Sequence, residues 1–157
     1  MAIEIERKFL LRDLQVLQGL SGQRIAQGYL SHSPTATVRV RLRDGHGWLT
    51  VKGLTAGLQR DEFEYPIPAA DAEALLALCD AGVIDKTRYL LPADGGLCWE
   101  IDVFHGDNDG LVVAEIELPS ADHPLPAADW LGAEVSHDPR YFNSALSRTP
   151  YRHWTAR

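Results

Sequence analysis

The sequence has few cysteines and no long apolar run. Two of its 157 residues are cysteine, Cys79 and Cys98, and they form no CxxC or CxxH spacing. Neither a disulfide framework nor a zinc site is therefore predicted. No stretch approaches the roughly 18–20 apolar residues that a transmembrane helix needs, and the first residues lack the pattern of a signal peptide. These absences predict a cytoplasmic protein that does not enter a membrane.

The chain also lacks an excess of positive charge. Its 15 lysine and arginine residues stand against 22 aspartate and glutamate residues, so the formal net charge is −7. Proteins that bind the phosphate backbone of nucleic acids usually carry a basic domain, and no nucleic-acid partner is expected here. Hydrophobic residues make up 45% and charged residues 24% of the chain, which is an ordinary globular composition. The length predicts a single domain over residues 1–157.

Short segments in which polar and apolar residues alternate dominate the sequence. This period of two is typical of antiparallel β-strands, and Asp44-Gly45 and Asp94-Gly95-Gly96 provide the glycines that tight hairpins require. Eight strands are predicted, a common number for closing a small barrel. They span residues 2–10, 23–30, 36–44, 47–53, 59–67, 86–92, 97–104 and 111–118.

Helical segments are few. A helix is predicted over residues 71–81, where leucines lie on one side and Gly82 is placed to end it. A shorter helix is predicted over residues 140–147, a turn or two over 13–20, and irregular, proline-interrupted chain over 122–130.

Charged residues recur two apart in most of the predicted strands. Side chains two apart lie on the same face of a strand, so most strands are predicted to have one charged face and one largely apolar face. The charged faces carry eight carboxylates and seven cations: Glu4, Glu6, Glu62, Glu64, Glu100, Asp102, Glu115 and Glu117, with Lys8, Arg39, Arg41, Arg43, Lys52, Lys86 and Arg88.

Two architectures are compatible with these faces. An open sheet with one solvated side is the simpler explanation for any single strand. Like charges two apart, however, repel by roughly 2 kcal/mol at an effective dielectric constant near 20, and many such pairs together need compensation. Closing the sheet provides it, because cations can then surround a polyanion while carboxylates surround divalent metal ions. The pattern favours a mainly β, α+β fold: an eight-stranded antiparallel closed barrel with a few helices packed outside.

The same residues resemble a known family. Glu4-Ile5-Glu6-Arg7-Lys8 is similar to the ExExK signature of the CYTH, or triphosphate tunnel metalloenzyme, superfamily. Val38-Arg39-Val40-Arg41, Thr50-Val51-Lys52 and Lys86-Thr87-Arg88-Tyr89 follow in that family's order. The resemblance runs along the whole chain, whose short form is similar to bacterial members that hydrolyse inorganic triphosphate to pyrophosphate and phosphate. It implies an eight-stranded tunnel.

The resemblance also implies roles for the charged residues. Mg²⁺ or Mn²⁺ would be held by Glu4, Glu6, Glu62, Glu115 and Glu117, with Glu64 and Asp102 as further candidates. The triphosphate would be held by Lys8, Arg39, Arg41, Lys52, Lys86 and Arg88, with Arg43 as a further candidate. Because phosphoryl transfer depends mainly on positioning and charge stabilisation, Lys8, Lys86 and Arg88 are also predicted to stabilise charge on the leaving pyrophosphate. Tyr29 could orient water or a phosphate oxygen, or could simply be a packed aromatic residue.

Other functions stay open at this point. The same tunnel could hydrolyse a nucleoside triphosphate or thiamine triphosphate, or cyclise ATP as class IV adenylate cyclases do. The His-Phe that often precedes the signature in those cyclases is replaced here by Ala2-Ile3. A noncatalytic polyphosphate sensor is also considered, although carboxylate pairs would repel its ligand unless metals intervened. The expected partner is a small-molecule triphosphate, and the expected state is a monomer or homodimer.

Overall fold

The computed structural model describes residues 2–33, 35–79 and 81–154. Nine strands and two short α-helices are formed by these residues. The strands are β1 (Ala2–Leu11), β2 (Gly22–Ser33), β3 (Ala36–Arg43), β4 (His46–Gly53), β5 (Gln59–Ile67), β6 (Ile84–Pro92), β7 (Cys98–Phe104), β8 (Val112–Glu117) and β9 (Leu131–Glu134). The helices are α1 (Ala69–Ala77) and α2 (Asn143–Arg148). Within the described part of the chain, neither helix has the length and apolar character needed to cross a membrane.

The first eight strands form a closed antiparallel barrel. Neighbours pair in the order β5-β4-β3-β2-β6-β7-β8-β1. The ring closes at β1, because residues 6–10 of β1 pair with β8 while residues 2–5 pair with β5. The predicted eight-stranded barrel is confirmed, and most predicted strand ends lie within two residues of the observed ones. The exception is β2, which extends three residues further, to Ser33.

A ninth strand is missing from the sequence prediction. β9 pairs with the end of β1, where Phe9 lies opposite Glu134 and Leu11 lies opposite Leu131. β9 and β5 pair with the same edge of β1: β5 pairs with residues 2–5 and β9 pairs near the end of the strand. Its four residues are too short a segment to show a period of two, so only the tertiary contact with β1 defines it as a strand. The predicted irregular character of 122–130 is confirmed.

The helices differ from the prediction in their bounds. α1 ends at Ala77, so the prediction that Gly82 ends it is wrong. The chain that follows is held against the barrel instead, since a Cβ atom on Gly28 of β2 would lie 2.6 Å from Sγ of Cys79. The predicted helix over 140–147 is split into a 3₁₀ turn, Pro139–Tyr141, and α2, because Phe142 between them has an extended backbone.

The main apolar core lies outside the barrel wall. Outward side chains of β1, β7 and β8 form it together with Leu118: Phe9, Trp99, Ile101, Ala114, Ile116 and Leu118. Leu125, Ala128 and Trp130 of the irregular segment pack over this cluster, and the rings of Trp99 and Trp130 meet edge to face at 5.2 Å. Burial of the apolar faces on this side leaves the opposite faces of the same strands directed into the barrel.

A second apolar cluster fills one end of the barrel. It consists of Ile84, Phe104, Leu111, Val113 and Leu146. Ile84, Phe104 and Val113 lie two residues from Lys86, Asp102 and Glu115 along their strands, so they share the inward face with those charged residues. Leu146, with none of its surface exposed, is the contribution of α2. The packing of Leu146 holds the C-terminal segment over this end of the barrel.

Candidate active site

The barrel encloses a cavity lined mainly by charged side chains. The unfilled space, counted together with the part that is open to solvent, is about 450 Å³. Among the described residues, seven basic side chains and two carboxylates line it, although the whole chain is acidic. The basic residues are Lys8, Arg39, Arg41, Lys52, Arg60, Lys86 and Arg88, and the carboxylates are Glu6 and Glu115. Positive charge is therefore concentrated in the interior.

Strand geometry explains why these side chains converge. Arg39 and Arg41 lie two apart on β3, and Lys86 and Arg88 lie two apart on β6, so each pair points to one face. In a closed barrel the inward faces of all strands meet. Six of the predicted substrate-binding residues are buried, with Lys86 only 1% exposed. The structure thus brings together Lys8, Arg39, Arg41, Lys52, Lys86 and Arg88.

Asp102 connects two of the cations. Its Oδ1 accepts a hydrogen bond from Nε of Arg88 at 2.7 Å, and its Oδ2 accepts one from Nζ of Lys86 at 2.7 Å. Burial opposes ionisation of Asp102, but Arg88 and Lys86 more than offset it and hold its pKa well below the usual range. Burial lowers the pKa of Lys86 to about 7 even though Asp102 acts in the opposite direction. Asp102, a predicted metal ligand, is here a buried counterion.

Lys8 connects the cavity to the C-terminal segment. Its Nζ lies 3.3 Å from Oε1 of Glu115, donates a hydrogen bond to the carbonyl of Tyr141 at 3.0 Å, and lies 5.6 Å from the centre of the Phe142 ring. Burial opposes ionisation of Glu115, but Lys8 in particular outweighs it and lowers the pKa of Glu115 to about 2. The lysine and the carboxylate stabilise each other's charge, and Phe142 forms part of the cavity wall.

Glu4 is surrounded by two cations. Nζ of Lys52 donates to both of its carboxylate oxygens at 3.0 Å, and Nε of Arg60 donates to Oε1 at 3.2 Å. Lys52 also lies 3.4 Å from Glu62. Burial opposes the ionisation of Glu4, but Lys52 and Arg60 outweigh it and lower its pKa to about 2. Glu4 is therefore ionised and fully paired.

The neighbouring carboxylates crowd one another. Burial and the nearby charges of Glu115 and Glu4 raise the pKa of Glu6 to about 7. Burial and Glu4 raise the pKa of Glu62, and burial, Glu4 and Glu62 raise the pKa of Glu117. Glu117 also lies directly opposite Glu6 in the β1–β8 pairing. A cation placed among these hard oxygen donors would relieve the repulsion, so the donor set fits a divalent metal ion.

The predicted metal ligands do not converge on one point in this arrangement. Across residues 2–33, 35–79 and 81–154, no three Asp, Glu, His or Cys side chains are close enough to hold a metal ion together. Most of the predicted ligands contact cations instead. Glu64 lies at the exposed edge, where its Oε2 accepts a hydrogen bond from Thr50 at 3.1 Å and lies 3.6 Å from Arg39.

Arg43 and Tyr29 differ in their placement. Arg43 lies at the end of β3, partly exposed and outside the lining of the cavity, while Tyr29 is 5% exposed and belongs to the lining. The hydroxyl of Tyr29 lies 3.5 Å from the side-chain nitrogen of Gln27, a buried residue two positions away. The structure therefore places Tyr29 among the candidate site residues and Arg43 away from them.

Arg60 and Asn143 line the cavity but were missing from the predicted site. Arg60 lies two residues before Glu62 on β5, so the alternation that selected Glu62 also points to Arg60. Asn143 could not be found this way, because it belongs to α2. Its Oδ1 accepts hydrogen bonds from Lys86 at 2.8 Å and from Gln27 at 2.9 Å, while Gln27 accepts one from Arg41 at 2.8 Å. These amides hold Arg41 and Lys86 in position.

The fold and the cavity define a class of protein: a closed antiparallel β-tunnel whose interior concentrates cations around a space for a compact polyanion. A family model described as "CYTH domain" matches residues 2–144. Two relatives are both named "Inorganic triphosphatase". The one from Acetivibrio thermocellus is 43% identical over 155 residues, covering 98% of this chain and 99% of its own. The one from Nitrosomonas europaea is 35% identical over 147 residues, covering 92% and 96%.

Solved structures of other proteins have a similar fold. The crystal structure of an inorganic triphosphatase superposes with a TM-score of 0.66 at 32% identity, covering 94% of this chain and 95% of its own. A Hippeastrum protein studied as an adenylyl cyclase, with a dominant triphosphatase activity, has a TM-score of 0.60 over 74% of this chain and 80% of its own. Its identity is 14%, so that likeness concerns the fold alone.

This chain belongs to the CYTH family. The family resemblance inferred from ExExK and the charged strands is thus confirmed. Triphosphatases of the family generally depend on a metal ion.

Proposed function

We propose that this protein hydrolyses inorganic triphosphate to pyrophosphate and phosphate inside the barrel. The observation that carries the proposal is the convergence of seven basic side chains on one enclosed cavity. A chain of three phosphoryl groups offers many oxygens in a small volume, and seven cations from five strands can contact it from several sides. The two relatives named inorganic triphosphatase, which match nearly the full chain, support the same substrate.

The hydrogen-bonding groups suit phosphate oxygens. Arginine presents a planar fork of N–H donors, while lysine acts as a point charge. Nη2 of Arg39 donates to Thr50 at 3.2 Å, but its Nε is buried with no hydrogen-bond partner among the described residues. A buried donor that stays unpaired is costly, and a phosphate oxygen would satisfy it.

We further infer that Mg²⁺ or Mn²⁺ is the metal. Glu4, Glu6, Glu62 and Glu117 would hold it, with Glu115 close by, since carboxylate oxygens are the ligands that these hard cations prefer. When bound with the substrate, the metal would neutralise phosphate oxygens and make a water molecule more nucleophilic. Glu64 and Asp102 stay predictions as ligands, and their observed contacts favour a role in orienting Arg39, Lys86 and Arg88.

The basic residues would bind the phosphate chain and stabilise its charge during the reaction. Phosphoryl transfer depends mainly on positioning and on stabilising charge. Arg39, Arg41 and Lys52 would align the phosphate chain, while Lys8, Lys86 and Arg88 would stabilise the charge that develops on the leaving pyrophosphate. Tyr29, which lines the cavity, would orient a phosphate oxygen or water.

The test is phosphate release from four substrates: tripolyphosphate, ATP, thiamine triphosphate and pyrophosphate. Each is measured with Mg²⁺, with Mn²⁺ and with a chelator. We expect turnover of tripolyphosphate with a divalent metal and none with the chelator. Equal turnover of ATP or thiamine triphosphate would contradict the proposal that inorganic triphosphate is the substrate. Formation of cyclic AMP from ATP would identify a cyclase. Binding of tripolyphosphate without phosphate release would favour the polyphosphate sensor. A cytoplasmic location and a monomeric or homodimeric state stay predictions.

A further inference from the structure

Arg60 occupies an unusual position in the barrel. It lies on β5 directly opposite Glu4 of β1, and its side chain is 20% exposed. Besides the main cavity, it lines two adjoining pockets near the 53–58 turn and the chain around Phe142. Lys8 lines the main cavity and one of these pockets, whereas Arg60 borders the main cavity and both pockets.

Arg60 contacts carboxylates that are predicted to hold the metal. Its Nε lies 3.2 Å from Oε1 of Glu4, and its Nη2 lies 3.9 Å from Oε1 of Glu6. Lys52 also pairs with Glu4, with its Nζ 3.0 Å from both oxygens. A divalent metal ion that binds Glu4 and Glu6 together would therefore compete with these cations.

The two cations are not equally free to move. Lys52 lies on β4 beside Glu62, is about 10% exposed and contacts both Glu4 and Glu62. Arg60 is about twice as exposed, borders open pockets on one side and makes a longer contact with Glu6. Rotation of the Arg60 side chain would release both carboxylates while leaving the guanidinium within the cavity wall.

We propose that Arg60 is an exchangeable counterion: it pairs with Glu4 and lies beside Glu6 when the barrel is empty, and it transfers to a phosphate group when metal and polyphosphate enter. This inference rests on the proposed function, because the exchange requires both ligands in one cavity. Its consequence is that metal and polyphosphate binding are coupled through this side chain. Metal alone binds weakly because it competes with Arg60, and polyphosphate binds more tightly once metal has freed the guanidinium.

Calorimetric titration of Mn²⁺ into the substrate-free protein tests the competition directly. Arg60→Gln should bind Mn²⁺ about tenfold more tightly than the wild type, within the range usual for coupled sites. In a second measurement, with tripolyphosphate and saturating Mn²⁺, the same variant should have a KM about tenfold higher than the wild type, because a phosphate contact is lost. Arg60→Met, with similar bulk and no polar group, serves as the second variant, and circular dichroism checks that each is folded.

Arg24→Gln is the matched control. Arg24 pairs with Asp85 through an exposed contact at 2.6 Å and does not line the cavity, so the same loss of charge there should change neither the Mn²⁺ affinity nor the KM by more than about twofold. Unchanged or weaker Mn²⁺ binding by folded Arg60→Gln or Arg60→Met would overturn the exchange. Wild-type protein that binds Mn²⁺ but no tripolyphosphate would contradict the proposed function instead, and the Mn²⁺ titration would still decide whether Arg60 competes.

Discussion

The two faces of β7 and β8 are buried in opposite ways. On β7, Trp99 and Ile101 pack outward into an apolar cluster. Asp102, the residue after Ile101, points inward and is buried among cations. On β8 the same alternation separates Ala114 from Glu115. One strand thus contributes to the stabilising core and to the candidate site, and the two roles differ by a shift of a single residue.

The two regions also differ in their energetics. An apolar side chain that is fully buried contributes about 1.5–3 kcal/mol, so the outer cluster stabilises the barrel. In the interior, burial raises the pKa of Glu6 and lowers that of Arg41 to about 9, with Arg39 and Arg88 adding to the second effect. Burial and like charges therefore disfavour the ionised forms of Glu6 and Arg41. The outer core offsets this cost, and the predictions below separate the two contributions.

The largest effect on stability is expected at the outer cluster. Trp99 is 2% exposed and contacts the rings of Phe9 and Trp130. Trp99→Ala should lower the free energy of unfolding by about 4 kcal/mol because it leaves a large cavity. Urea unfolding measures the loss. Below its unfolding midpoint the variant should keep the KM for tripolyphosphate, and a large rise in KM would show that the two faces are not independent.

A smaller loss is expected inside. Asp102→Asn removes the buried charge that pairs with Lys86 and Arg88, so two cations lose a buried partner. We expect a loss of about 3 kcal/mol in urea unfolding, together with a large decrease in turnover. Asp85→Asn is the control, because its pair with Arg24 is exposed and should contribute less than about 1 kcal/mol. Equal losses at Asp102 and Asp85 would contradict the ranking.

Much of this comparison could be predicted from the sequence. Alternation depends only on strand geometry, so the eight strands and the charged faces of β1, β3 and β6 follow from residue spacing, and closure follows from the need to compensate the charges. The ninth strand could not be predicted, because the pairing of β9 with β1 is a tertiary contact. Its four residues have no distinctive pattern of their own.

The pairing of charges inside the barrel could not be predicted from the sequence either. Whether Asp102 contacts a metal or Lys86 depends on the relative register of β6 and β7, which spacing within one strand does not determine. Asn143 enters the cavity only because Leu146 packs into the end of the barrel. Arg60, by contrast, could have been predicted, because it lies two residues from Glu62 on the same strand.

A change that stabilises the metal-free protein is predicted at Glu6. Its pKa is raised from 4.5 to about 7, so the folded state binds the proton more tightly than the unfolded state between these values. The stability linked to this proton is present below pH 4.5 and is lost as the pH rises through 7. Glu6→Gln cannot ionise, and its side chain, 22% exposed in the wild type, keeps the same shape.

In the presence of a chelator, Glu6→Gln should therefore be about 3 kcal/mol more stable than the wild type at pH 8 and nearly equal to it at pH 4.5. Thermal and urea unfolding at both values measure the difference. The same variant should lose turnover of tripolyphosphate, because a predicted metal ligand is removed. A variant that is less stable than the wild type at pH 8 would show that the Glu6 charge is compensated in the empty barrel.

The smallest effect, with the opposite dependence on pH, is expected on the outer surface. Arg7 donates to both oxygens of Glu134 at 2.9 and 2.7 Å and so connects β1 to β9, and its hydrogen bonds lower the pKa of Glu134. This contribution is present above pH 4.5 and is lost as the pH falls further. Because both side chains are about a quarter to a third exposed, Arg7→Gln should cost less than about 1 kcal/mol at pH 7 and almost nothing at pH 3. Urea unfolding at both values checks this, and a loss as large at pH 3 as at pH 7 would mean that Arg7 acts through packing on Phe9, whose ring lies 5.3 Å from its guanidinium, rather than through the ion pair.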